Sequence, residues 1–137
     1  MQCIEDDESF NLDLWTASSI GDLEFLQGKI DFSNVNQFNQ SSWTCLMYAT
    51  YNDHSELVSY LLNFGALVHI SDRTALMLAA TCGHCKVLDV LLREVKDNVK
   101  DGKGYSALFH AVLYGHYDAC KLLLLSGSDA NTFDNTE

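Results

Sequence analysis

The sequence predicts an all-α solenoid of about four helix–turn–helix repeats joined by short finger turns, and three observations lead there. Ala17, Ala49, Ala79 and Ala111 recur at intervals of 32, 30 and 32 residues. Gly21, Asp53, Gly83 and Gly115 keep the same intervals, and His54, His84 and His116 follow the last three of them. The leucine pairs Leu61-Leu62, Leu91-Leu92 and Leu123-Leu124 recur in step. A period of this length marks one supersecondary unit repeated along the chain. No unit can bury its apolar faces alone, so the units must stack.

Taken in order, residues 1–11 are a segment with an acidic cluster, Glu5 to Glu8, and residues 12–137 form the repeat domain. The repeats run approximately over 12–38, 39–70, 71–100 and 101–134. The first is a degenerate copy, LDLWTASSIGDLEFLQGKI from Leu12. In the other three, a first helix begins at a hydroxyl residue, Thr44, Thr74 or Ser106, whose side chain can cap exposed backbone N–H groups. An Asp-His or Gly-His turn ends that helix. A second amphipathic helix follows, with Leu57, Val58, Leu61 and Leu62 at helical spacing in one copy and Val87, Leu88, Val90, Leu91 and Leu92 in the next. Leu46, Ala49, Leu76, Ala79, Leu108 and Ala111 are the expected core of the first helices.

The shared pattern T-x-L-M/F-x-A…G-H…LL…G-A resembles the ankyrin repeat over residues 12–134. The chain departs from that pattern in places. It has no proline, so the usual Thr-Pro becomes Thr44-Cys45, Thr74-Ala75 and Ser106-Ala107, with less rigidity at the first helical position. Met47, Met77 and Phe109 stand where the family places histidine. The connection HISDR is about three residues shorter than the family's finger, and REVKDNVKDGKG lacks the expected glycine after the helix, so the groove should be uneven there. The closing Asp134-Asn135-Thr136-Glu137 reads like the start of another finger; the expectation is a fragment of a longer chain whose leucines among 122–125 lack a polar capping repeat.

The strings LDLWTASSIG, WTCLMYATY, TALMLAATCG, SALFHAVLYGH and LLLSGSDAN look like the arrays of ankyrin adaptors that carry a sterile alpha motif elsewhere in the chain. That resemblance implies partners among related ankyrin and sterile-alpha-motif proteins, Bicaudal-C-type RNA-binding proteins and NIMA-related kinases, in ciliary or cytoskeletal assemblies. An ankyrin substrate adaptor or transcription-factor inhibitor is the alternative within the same family.

Charge narrows the function classes further. Eight basic against nineteen acidic residues give a formal net charge of −11, which repels nucleic acid and anionic membranes and favours a partner with a basic patch. The acidic start is unlike a signal peptide. No apolar run approaches the ~20 residues of a spanning helix. Five scattered cysteines, Cys3, Cys45, Cys82, Cys85 and Cys120, point to a reducing compartment, cytosol or nucleus; the expectation is a soluble cytoplasmic protein, to which the resemblance adds a ciliary location.

Cys82-Gly83-His84-Cys85 spells a CxxC redox motif, which raises a thiol–disulfide oxidoreductase as the competing function. Gly83 and His84 are already explained as turn residues matched by Gly115-His116, and the motif lies between two helices rather than after a strand. The structural reading is favoured, with one reserve: Cys85 should open the second helix, whose dipole would lower the thiol pKa. A zinc site needs its ligands within ~2.3 Å of one point, whereas equivalent residues of stacked helices lie ~8–10 Å apart. Hence His54, His84 and His116 form a ladder rather than a cage and are expected to bond to local backbone. For His69 and His110 the sequence shows no identifiable nucleophile and acid at a motif spacing. No enzyme, metal site or cofactor is expected.

Ankyrin arrays bind protein through a concave face made by the fingers and first helices. Carried over residue by residue, the finger positions are Gln40, Ser41 and Trp43, then Arg73, then Lys103 and Tyr105. The late first-helix positions are Ser19, Tyr51, Asn52, Thr81, Cys82, Leu113 and Tyr114. Four aromatics, Trp43, Tyr51, Tyr105 and Tyr114, fall on this expected surface, and aromatics are enriched among binding hot spots. Against that stands the plainer reading that Trp43 or Tyr105 only covers a neighbouring finger.

Overall fold

A computed structural model describes residues 13–70, 73–94 and 106–126. The first helices form as α1 (Leu14–Ile20), α3 (Cys45–Tyr51), α5 (Ala75–Cys82) and α7 (Ala107–Leu113). The second helices are α2 (Leu23–Leu26), α4 (Ser55–Asn63), α6 (Cys85–Glu94) and α8 (Tyr117–Leu125). α1 packs on α3, α3 on α5 and α5 on α7, while α4 packs on α6 and α6 on α8. The expected all-α solenoid is therefore two parallel stacks of helices, first helices on one side and second helices on the other.

Each long first helix starts as the sequence requires. The backbone N–H groups of Met47, Met77 and Phe109 donate to the side-chain oxygens of Thr44, Thr74 and Ser106 at 3.4, 3.0 and 3.3 Å. In the degenerate first repeat, Asp13 takes this role and accepts from Thr16 N–H at 2.6 Å. Met47 also accepts, through its sulfur, from the Thr44 N–H at 3.3 Å, which closes a reciprocal cap.

The ends of the first helices explain the alanine register. The N–H groups of Asp22, His54, His84 and His116 donate to the carbonyls of Ala17, Ala49, Ala79 and Ala111 at 2.9–3.0 Å. The residue before each donor, Gly21, Asp53, Gly83 or Gly115, is left-handed, with φ of 79°, 65°, 74° and 73°. This is the Schellman arrangement, which satisfies carbonyls that the helix itself leaves unpaired. All four alanines are fully buried, because a methyl group is what lets adjacent first helices approach closely.

The second-helix leucines fill the space between layers: Leu57, Leu61, Val87, Leu88, Leu91 and Leu123 are buried with Leu46, Leu76 and Leu108 in one continuous core. The first repeat departs from the expected second helix. α2 has four residues, because Gln27 is already extended (φ −62°, ψ 128°) and Gly28 follows at a φ of 82° to complete the turn. A single turn with Leu23, Phe25 and Leu26 supplies that repeat's outer layer. Across the short HISDR connection, β1 (His69–Ile70) pairs antiparallel with β2 (Arg73–Thr74). Residues 1–11, the 95–105 connection and the Asp134–Glu137 finger lie outside the described residues.

Candidate protein-binding groove

The finger between the first two repeats is built around Asn39. Its Oδ1 accepts from the N–H groups of Ser41 and Trp43 at 2.9 and 3.0 Å, and its Nδ2 donates to the Tyr48 hydroxyl at 2.8 Å. Its backbone pairs with Trp43 at 3.0 Å and Ser42 at 3.0 Å. One amide side chain thus fixes both the turn and the ring below it. Trp43 consequently lies against α3, 4.9 Å from Tyr48 and 5.7 Å from Tyr51 between ring centroids, edge-on to the latter. Trp43 covers its own repeat's first helix.

Beside these rings, Asn52 donates through Nδ2 both to Ser19 Oγ at 3.1 Å and to the Tyr48 carbonyl at 3.0 Å. Ser19, Ser41, Trp43, Tyr48, Tyr51 and Asn52 together line an open depression. Tyr51 is 50% exposed, Gln40, Ser41 and Asn52 are exposed, and Trp43 is partly buried. Of the expected groove residues, Ser19, Ser41, Trp43, Tyr51 and Asn52 are brought together, while Gln40 lines an adjoining depression. Thr81 and Cys82 end α5 and are partly buried. Leu113 and Tyr114, 58% and 56% exposed, stand at the far end of the stack and do not join the aromatic cluster. Arg73 lies in β2, with its side chain outside the described residues, as are Lys103 and Tyr105 entirely.

Tyr48 and Asn39 were not among the expected site residues. Tyr48 precedes Tyr51 by three residues, a spacing that places both on one helical face, so the signal was present. The four first helices, LWTASSI, CLMYATY, ALMLAATC and ALFHAVL, contain no lysine, arginine, aspartate or glutamate. Lys86 and Arg93 on α6 and Lys121 on α8 belong to the outer layer. Carboxylates stand at the ends of the first helices instead, at Asp13, Asp22 and Asp53.

The histidines correct one expectation. They do not bond to local backbone: His54, His84 and His116 reach through Nε2 to the carbonyls of Ser19, Tyr51 and Thr81, each in the preceding repeat, at 2.8–2.9 Å. A carbonyl can only accept, so Nε2 carries the proton. The ladder ties successive repeats together. Two of its rungs lie directly against a glycine, since a Cβ on Gly21 or Gly83 would stand 2.6 Å from the facing imidazole Nδ1. At the middle rung Asp53 replaces the glycine, and its carboxylate lies 3.9 Å from His84 Nδ1.

The CxxC motif is split by this turn: Cys82 closes α5 and Cys85 opens α6. The expected lowering of the Cys85 pKa is reversed. Burial pushes its thiol up, and the carboxylates of Asp118 and Asp53 push it further, because each disfavours a neighbouring thiolate. Burial likewise raises Cys45 and Cys120. Among the described residues, no three His, Cys, Asp or Glu side chains converge as metal ligands would.

Comparison with known proteins agrees with this geometry. The family model described as ankyrin repeats (3 copies) matches residues 14–101 and 72–134. The chain is 32% identical over 134 residues to the probable 26S proteasome regulatory subunit p28 of Saccharomyces cerevisiae, covering 88% of this chain and 59% of that one. It is 33% identical over 116 residues to the nuclear factor NF-kappa-B p105 subunit of Rattus norvegicus, covering 80% and 12%. It is 32% identical over 97 residues to ankyrin repeat protein FPV034 of fowlpox virus, covering 70% and 23%. The chain therefore spans from about an eighth to three fifths of the length of these relatives.

Proposed function

From the premise that this chain belongs to the ankyrin-repeat family, we propose that it is a non-catalytic scaffold that holds a partner protein in the groove formed by its fingers and first helices. The observation that carries this reading is the fixed aromatic cluster of Trp43, Tyr48 and Tyr51, open to solvent on the first-helix side. Rigid aromatics bury much area at little entropic cost, which suits a recognition surface. The split of the CxxC motif supports the non-catalytic reading: Cys82 closes α5 and Cys85 opens α6, so the first cysteine does not sit at a helix N-terminus that would favour its thiolate.

The finer reading extends the quoted similarity to sterile-alpha-motif ankyrin adaptors. In it the chain is a cytoplasmic, ciliary adaptor whose partners include related ankyrin and sterile-alpha-motif proteins, Bicaudal-C-type proteins and NIMA-related kinases. Affinity purification with mass spectrometry tests both levels, comparing the natural chain with a Tyr51→Ala/Tyr114→Ala variant. Both rings are exposed, so the variant should keep its circular dichroism spectrum. Partners lost only from the variant support the groove reading; partners retained at equal yield move the binding site elsewhere. A partner set without any of the named proteins removes the ciliary adaptor reading alone.

A further inference from the structure

The depression beside Trp43 has a composition that selects among the side chains a partner could insert. One wall is aromatic, from Trp43, Tyr48 and Tyr51, and the other is polar, from Ser19, Ser41 and Asn52. The orientation of Asn52 decides what the polar wall offers. Its Nδ2 is committed to Ser19 Oγ and the Tyr48 carbonyl, so Oδ1 is turned away from those contacts and is left to accept. Ser19 Oγ already accepts one bond, and the Ser41 hydroxyl is exposed. The wall therefore offers the Asn52 Oδ1 acceptor and two hydroxyls that can accept or donate. The first helices that form this side of the array carry no charged side chain. A second depression shares Ser41 and contains the Asp13 carboxylate and Trp15. Asp53 stands at the residue after Asn52 with its side chain exposed. The whole chain carries a net charge of −11.

We propose that this depression receives the guanidinium of an arginine from the partner's bound segment, a statement that rests on the groove reading above. An aliphatic anchor would cover the Ser19, Ser41 and Asn52 polar atoms without pairing them, which is unfavourable. A carboxylate would meet the negative faces of the rings and a strongly acidic protein. A lysine ammonium is a compact, strongly hydrated charge that gains less from a flat ring. A guanidinium is planar, stacks on an aromatic face and spreads its donors in a fork wide enough to reach several acceptors. Asp13 in the adjoining depression and the net charge of −11 add attraction for the same charge.

The test uses the full 137-residue chain labelled with nitrogen-15, and three blocked pentapeptides: GSRSG, GSKSG, and the form with neutral citrulline in place of arginine. The Trp43 indole N–H and the Asn52 side-chain amide should shift on titration with the arginine peptide, while the Trp15 indole, bonded to the Gln37 carbonyl at 3.1 Å, should stay in place. The citrulline peptide should bind about 2- to 30-fold more weakly, the range expected for loss of one cation–π contact, and the lysine peptide should fall between. Tyr51→Ala should reduce the arginine shift, and Trp43→Ala should abolish it. Equal shifts from the arginine and citrulline peptides would overturn the proposal, as would an unmoved Trp43 indole. If that indole stays unmoved while cellular partners are still lost from the Tyr51→Ala/Tyr114→Ala variant, the arginine assignment falls and the groove reading stands.

Discussion

Gly83→Ala and Gly115→Ala form a matched pair that isolates the energy of the histidine ladder. Both glycines occupy left-handed turns with nearly identical φ, 74° and 73°, so both substitutions incur the same backbone penalty of about 1–2 kcal/mol. Their surroundings differ. A Cβ on Gly83 would meet the His116 ring at 2.6, 2.8 and 2.9 Å, whereas one on Gly115 meets nothing within 4 Å among the described residues. The ring of His116 must therefore swing away in Gly83→Ala and give up its 2.9 Å bond to the Thr81 carbonyl. Losing that bond costs about 1 kcal/mol, and leaving the carbonyl partly desolvated adds about 1–2 kcal/mol. Gly83→Ala should thus destabilise by about 3–5 kcal/mol and Gly115→Ala by about 1–2 kcal/mol. Urea unfolding followed by circular dichroism measures both, read from midpoints at a shared slope. His116→Ala closes a double-mutant cycle: with the ring absent, the cost of Gly83→Ala should fall to that of Gly115→Ala. Equal costs for the two glycine substitutions in the natural background would refute the claim that the imidazole is wedged against the turn.

Other consequences follow from the same geometry. Asp53→Gly removes the one non-glycine residue among the four left-handed turn positions (φ 65°); it should stabilise the chain by about 0.5–1 kcal/mol in the same urea assay, the size of the conformational preference. Thr74→Ala deletes the 3.0 Å cap to the Met77 N–H at a buried site and should cost about 1–2 kcal/mol, whereas Thr74→Ser should restore most of it. Burial and the carboxylates of Asp118 and Asp53 raise the pKa of the Cys85 thiol, so iodoacetamide should alkylate it more slowly than it alkylates glutathione at neutral pH, with the rate climbing as the pH rises above the ordinary thiol range. Asp118→Asn should speed that reaction by favouring the thiolate, which mass spectrometry of the Cys85 peptide can follow. Burial raises the Cys45 pKa in the folded chain. The unfolded chain therefore loses its thiol proton first, and the stability due to Cys45, full below the ordinary thiol pKa, is lost as the pH climbs through the raised value; thermal melts between neutral and alkaline pH of the natural chain and Cys45→Ala should diverge in that direction.

How much of this was legible in the sequence depended on how far each determinant lay from the residue it acts on. The alanine register could be read because helix, Schellman turn and following N–H are all local: Ala79, Gly83 and His84 lie within six residues. The brevity of α2 was less visible, because LEFLQGKI offers apolar residues at helical spacing and Gly28 acts only by taking up a left-handed conformation. Within the groove, Trp43 and Tyr51 were found from their repeat positions. Asn39 was missed because its importance lies in a hydrogen bond to Tyr48 nine residues away, which no periodicity encodes. The reversed sign at Cys85 has the same origin. A dipole argument considers the helix that Cys85 opens, yet the carboxylates that oppose the thiolate belong to the repeats before and after it, Asp53 and Asp118. In a stacked array, residues one period apart in sequence are neighbours in space. The histidine ladder obeys the same rule, with each ring reaching a carbonyl 33 or 35 residues back. Electrostatics and turn chemistry in such a chain are therefore set by sequence positions offset by one repeat as much as by adjacent residues, and an argument confined to a single helix can return the wrong sign.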